Sequence, residues 1–146
     1  MSNQIVQIGY GRHLETEAAA ALSPGNLLEL TSANTIQKHS VAGGVAEKNI
    51  AKEDALEGRT VDTDYAVGDV VSSHLAQSGD VVLALVKAGE NVAVGDQLVS
   101  AGDGTLIPVA SLATGVTVEQ VIAVALDAAD LTATGVVDTL VSVRIL

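Results

Sequence analysis

Cysteine, phenylalanine and tryptophan are absent from this 146-residue chain, and Tyr10 and Tyr65 are its only aromatic residues. Without cysteine there are no disulfide staples, thiolate metal sites or cysteine nucleophiles. Without Phe and Trp, the core must be made from the Val, Ala, Leu and Ile that dominate an apolar fraction of 48%. Such small side chains suit close sheet packing, and they leave a sugar little to stack on. Positive charge is scarce too: 7 basic residues stand against 18 acidic ones, a formal net charge of −11. Arg12, Lys38, Lys48, Lys52, Arg59, Lys87 and Arg144 are scattered along the chain, so no basic stripe exists to neutralise phosphates. That argues against nucleic acid and anionic membrane as partners. No run approaches the roughly 20 apolar residues of a membrane span. The start, "MSNQIVQIGYGR", lacks the basic and apolar regions of a signal peptide, so the expectation is a soluble chain made in the cytoplasm.

What is present is a series of short strands separated by turns. A chain of this length fits one domain, burying roughly two-thirds of its unfolded surface. Strand runs are read at "GNLLEL" (25–30), "TIQKHSVA" (35–42), "AVGDVVSS" (66–73), "GDVVLALVKAG" (79–89), "NVAVGDQLVS" (91–100), "GTLIPVA" (104–110) and "DTLVSVRIL" (138–146). In the last, Val141, Val143 and Ile145 alternate with Leu140, Ser142 and Arg144, which predicts one buried face. This spacing points to a mainly β chain, a sandwich or small barrel. "EKNIAKEDALEG" (47–58) is read as a short helix stopped by Gly58. "TVEQVIAVALDAA" (117–129) has helical spacing, but its Val and Ile favour a strand with a turn at Asp127.

A Gly-Asp pair recurs at the strand junctions, as Gly68-Asp69, Gly79-Asp80 and Gly95-Asp96, with the reverse order at Asp103-Gly104. Gly supplies positive φ, and Asp is expected to hydrogen-bond its own downstream backbone, so the pair reverses the chain. The aspartates come singly, without the spacing of a calcium loop.

Chemistry is hard to find. Gly9-Tyr10-Gly11 followed by "RHLETEAAAAL", with Glu29 20 residues after Gly9, imitates a dinucleotide fingerprint. Leu14 occupies the third glycine position, however, and no further βα units follow. His13, His39 and His74 are isolated and lack zinc spacing, and no serine sits in Gly-x-Ser-x-Gly. Glu53-Asp54 and Asp62/Asp64 offer paired carboxylates, which read as solvated surface in so acidic a chain. "VKAGENVAVGDQLVSAGDGTL" resembles part of a biotinyl or lipoyl carrier domain, but the hairpin tip Ala101–Gly104 has no lysine to modify. The expectation is no catalysis, no cofactor and no metal.

Several stretches, in order, resemble the capsid decoration (cement, or head-stabilising) proteins of tailed bacteriophages: "LSPGNLLEL", "HSVAGGVAEKNIAKEDALEGRTVDTDYAVGDVV", "GENVAVGDQLVSAGDGTL" and "VIAVALDAADLTATGVVDTLVSVRIL". The resemblance implies a small β-barrel or β-tulip-like single domain with an extended N-terminal arm. It further implies a non-enzymatic virion protein on the outer capsid surface, bound to the major capsid protein of the same phage. Homotrimers at threefold or quasi-threefold positions would clamp the expanded shell. Within this frame, residues 1–20 are assigned to a capsid-binding arm and 21–146 to the β-rich domain. The arm's contacts are expected from Asn3, Gln4, Ile5, Val6, Gln7, Ile8 and Tyr10, through strand addition to a sheet edge of the shell. The same segment reads equally as the first strand of the domain. A carbohydrate- or small-molecule-binding β module is the alternative function.

Overall fold

The structure, a computed structural model, describes residues 4–146. Its strands are β1 (Val6–Ile8), β2 (Arg12–Glu17), β3 (Leu27–Leu30), β4 (Ile36–Lys38), β5 (Asn49–Ala51), β6 (Val70–Leu75) and β7 (Val81–Val86), then β8 (Asn91–Val92), β9 (Gln97–Ser100), β10 (Leu106–Pro108), β11 (Ala123–Ala125), β12 (Ala129–Asp130) and β13 (Thr139–Ile145). Single 3-10 turns at Ala55–Glu57 and Val109–Ser111 are the helical elements among the described residues.

Two rolled sheets result. In the first, β7, β10, β9, β11 and β13 are successive neighbours, and β13 pairs back onto β7 to close a five-stranded barrel. The closing ladder is antiparallel and runs from Thr139↔Val86 to Arg144↔Val81. The period-two pattern sends Val82, Ala84 and Val86 inward from β7, and Val141, Val143 and Ile145 inward from β13. A barrel of five strands has a narrow interior. Ala84, Ala123 and Ala125 sit fully buried in it, which explains a core without Phe or Trp.

The second sheet runs β2-β6-β5-β3-β4. It curls until Ala18, just past β2, bridges Ile36 in β4. Leu22, Leu28, Ile36, Ala51, Tyr65 and Val71 fill it. The Tyr65 hydroxyl donates to the Lys52 carbonyl at 2.8 Å, so this buried phenol keeps its hydrogen bond. Leu27, Ile50 and Val61 pack into the same core as Val82 and Val143, which makes the two sheets one domain.

The seam between them is β7. On the edge away from β13, the Leu83, Leu85 and Lys87 amides donate to the carbonyls of Ile5 (2.7 Å), Gly25 (3.0 Å) and Leu106 (3.1 Å) in turn. Gly25 has φ +92°, and a Cβ there would lie 2.4 Å from Leu140 Cδ2, so the turn at Ser23–Asn26 docks onto the barrel only through glycine.

The recurring turns follow one plan. Asp69, Asp80 and Asp96 each accept, through the side chain, from the amide three residues upstream: Ala66 (2.9 Å), Gln77 (3.0 Å) and Ala93 (2.9 Å). Asn26 does the same to Ser23 at 2.8 Å. The carboxylate therefore reaches backwards, contrary to the downstream bond expected from sequence. Each turn then leads straight into a strand. Of the four junction aspartates, Asp103 alone follows the downstream pattern, accepting from the Thr105 amide at 3.1 Å.

Two segments depart from the sequence reading. Asn49–Ala51 is a strand rather than helix, because Ile50 and Ala51 are fully buried between β3 and β6. The helical part shrinks to one turn, capped by the Asp54 side chain and ended by Gly58 at φ 72°. Arg12–Glu17 is also a strand, so no helix follows Gly9-Tyr10-Gly11 and the dinucleotide imitation fails.

Candidate functional site: the N-terminal strap

Residues 5–11 cross from the first barrel to the second sheet and are held at both ends. Ile5 is fully buried; its amide donates to Glu53 Oε2 at 2.9 Å, and its carbonyl accepts from Leu83. Val6 and Ile8 pair with Val82 and Val81 across a register shift. At the far end the Tyr10 and Gly11 amides donate to the two oxygens of Asp80, at 2.8 and 3.1 Å. Asp80 Oδ2 also accepts from the Gln77 amide (3.0 Å) and from His74 Nε2 (2.7 Å). Burial pushes the Asp80 carboxyl upward, but the bonds from Gln77, Tyr10 and His74 outweigh it and hold the group below its ordinary value.

The glycines of the strap serve close approach. A Cβ on Gly11 would lie 2.1 Å from the Leu75 carbonyl oxygen and 2.9 Å from the His74 ring. On Gly9 it would meet Val6 Cγ1 at 2.5 Å. The motif that imitates a phosphate loop is thus a chain crossing over the buried His74–Asp80 pair.

This placement corrects the expectation of an extended arm. Residues 4–20 do not stand off from the domain, since β1 and β2 are paired into its two sheets. Ile5 belongs to the core and cannot meet a partner. Val6 is half-buried, while Gln4, Gln7, Ile8 and Tyr10 face outward, Ile8 at 53% and Tyr10 at 77% exposure. Gln7 Nε2 donates to the Gln4 carbonyl at 2.6 Å. Asn3 lies outside the described residues. What the strap offers is a short outward ridge with two large apolar side chains, on a backbone fixed from beneath.

The candidate catalytic groups are otherwise engaged. Glu53 holds Ile5, and Asp54 caps the 3-10 turn. Asp62 and Asp64 are exposed. One constellation escaped the sequence reading: His39 Nδ1 lies 2.7 Å from Ser100 Oγ, and His39 Nε2 lies 3.9 Å from Glu29 Oε2. It imitates a Ser-His-acid triad built on β9 and β4's flank. Ser100 is fully buried and His39 nearly so, so no substrate reaches them. His39 Nε2 donates to the Val45 carbonyl at 3.1 Å, which in the neutral ring leaves Nδ1 to accept from Ser100. The Glu29 carboxylate accepts instead from Gln37 (2.8 Å) and Ser40 (2.6 Å). Those bonds, against the upward push of burial, lower its pKa. The signal for this cluster was the polar residues inside two apolar strand runs, whose sequence separation hides their contact.

Among the described residues no group of three or more His, Asp or Glu is placed to hold a metal ion. No helix among them is long and apolar enough to cross a membrane. Tyr65 is buried, so Tyr10 is the single exposed aromatic ring and a sugar-stacking platform is lacking.

Comparison with protein-family models returns no match. Comparison with curated proteins returns none either. Among solved structures the chain is similar to the N base of head fibre gp8.5 of bacteriophage phi29, seen in a crystal structure. The TM-score is 0.57 at 17% identity, covering 92% of this chain and 93% of that one. At that identity the likeness establishes the fold. At 92% coverage it extends over the barrel and the second sheet alike.

Proposed function

We propose that this chain is a structural protein of a tailed-phage virion, bound to the outer surface of the expanded capsid and stabilising it. The observation that carries the reading is the fold shared along nearly the whole chain with a phage head fibre base. The strap supplies the contact surface: Gln4, Gln7, Ile8 and Tyr10 point outward from a braced backbone, so docking costs little ordering entropy. The partner is the major capsid protein of the same phage.

Assembly as trimers has its own support. Residues 39–46 and 105–118 contain no Asp, Glu, Lys or Arg, in a chain of net charge −11. The loops meet where the Glu119 amide donates to the Gly43 carbonyl at 2.8 Å, and Val41, Val45, Val116 and Val118 are exposed. This charge-free face lets like-charged copies approach.

The test is co-sedimentation with capsid shells of the same phage before and after expansion, with sedimentation equilibrium for the free protein. Saturable binding to expanded shells alone, near one copy per shell subunit or a simple fraction of it, is expected. Absence of binding to either form would refute the reading.

A further inference from the structure

A groove of about 530 Å³ lies where the 61–64 loop and the Ser23–Asn26 turn meet the outside of the first barrel. Its floor is Leu85 and Leu140, register partners on β7 and β13 that face away from the barrel interior. The Gly25 turn covers one end of this pair, and both leucines remain only partly buried. Val137 stands at the lip, 72% exposed. An apolar cross-strand pair left half open, beside a largely exposed valine, is the kind of surface that binds a partner.

The rim carries charge. Asp62, Asp64 and Asp138 line it, together with Lys38. Asp138 accepts from the Ala88 amide at 2.8 Å, which fixes its carboxylate at the rim. Among the described residues these carboxylates form no metal-binding group. Lys38 forms no ion pair among the described residues. Two half-buried leucines below three carboxylates match, by charge complementarity, a segment that carries both apolar and basic side chains.

We infer that this groove docks an extended peptide segment of a partner protein. The apolar side chains of that segment rest on Leu85 and Leu140, its lysines or arginines lie beside Asp62, Asp64 and Asp138, and Lys38 meets a carbonyl or carboxylate. The inference is independent of the shell-binding reading, since the groove does not include the strap.

The test is an NMR titration of the full chain with acetyl-Lys-Val-Arg-Leu-Lys-Val-amide, beside a control peptide with glutamate at each basic position. Saturable shifts are expected at Val61, Asp62, Leu85, Val137 and Thr139, with affinity falling as salt rises. Asp62→Asn/Asp64→Asn, which alters only exposed carboxylates, should weaken binding roughly three- to tenfold. Equal binding by the acidic peptide, unchanged affinity in the double variant, shifts elsewhere, or no shifts at millimolar peptide would each overturn the proposal. Shell binding that persists when the titration fails would leave the virion reading standing alone.

Discussion

His74 Nε2 donates to Asp80 Oδ2 across 2.7 Å, and both side chains are buried beneath the strap that Asp80 also holds. One carboxylate thus joins the β6–β7 turn, the β6 strand and residues 10–11. Asp80→Ala removes the acceptor from four donors at once. It should cost on the order of 3–5 kcal/mol by urea unfolding. Amide exchange should accelerate first at Tyr10 and Gly11.

The same carboxylate sets a pH dependence. Its folded pKa lies below the ordinary 3.8, so the folded state binds fewer protons than the unfolded chain in that range. The stability it contributes is therefore complete above about pH 5 and is lost as pH falls through 4 and below. Glu29, Asp69, Asp103 and Asp130 are lowered too and add to the same acid-side loss. The urea midpoint should stay flat near neutrality and fall below pH 4. The difference between wild type and Asp80→Asn should shrink over that interval.

Glycine substitutions should separate by mechanism. Gly95 has φ +91° with open space around it, so Gly95→Ala should cost about 1–2 kcal/mol, from backbone strain alone. Gly25→Ala adds a clash with Leu140 to the same strain. Gly11→Ala drives a Cβ into the Leu75 carbonyl and the His74 ring, with an overpacking cost of about 1–3 kcal/mol or more. Thermal unfolding should rank Gly25→Ala and Gly11→Ala well below Gly95→Ala.

The strap separates binding from stability by side chain. Ile8→Ser and Tyr10→Ala change exposed groups and should shift stability by no more than about 0.5 kcal/mol. The pair should lower shell co-sedimentation roughly tenfold. Deleting residues 2–12 should instead unfold or nearly unfold the domain, because it removes buried Ile5 and the donors to Asp80. A loss on the order of 5 kcal/mol is comparable to the whole stability of a small domain. A truncated chain that stays folded would show that the strap is dispensable to the core.

The strands at 27–30, 70–75, 81–86, 106–108 and 139–145 were legible because turn residues bound them, and the face of β13 followed from its alternation. The strand reading of 117–129 also holds, as Ala123–Ala125 with a bend after it. A second rolled sheet beside the closed barrel was not legible. Closure depends on which segment meets the β7 edge, and Ile5, Gly25 and Leu106 carry no shared local signal. Nor could Asp80 be told from Asp69 or Asp96. All three make the same turn, and only the third dimension places His74 and the strap beside one of them. The burial of Ile5 was not legible either, since its local pattern does not distinguish it from the exposed Ile8.

The seam at β7 also governs how this chain reaches its fold. On one edge the Leu83, Leu85 and Lys87 amides donate to residues 5, 25 and 106, and on the other β7 pairs with Thr139–Arg144, so the partners of this strand are spread over the length of the chain. During synthesis, every element up to β11 waits beside an unclosed sheet until β13 leaves the ribosome. Closure of the first barrel then waits on its last strand, and pairing so distant in sequence predicts slow folding for so small a protein.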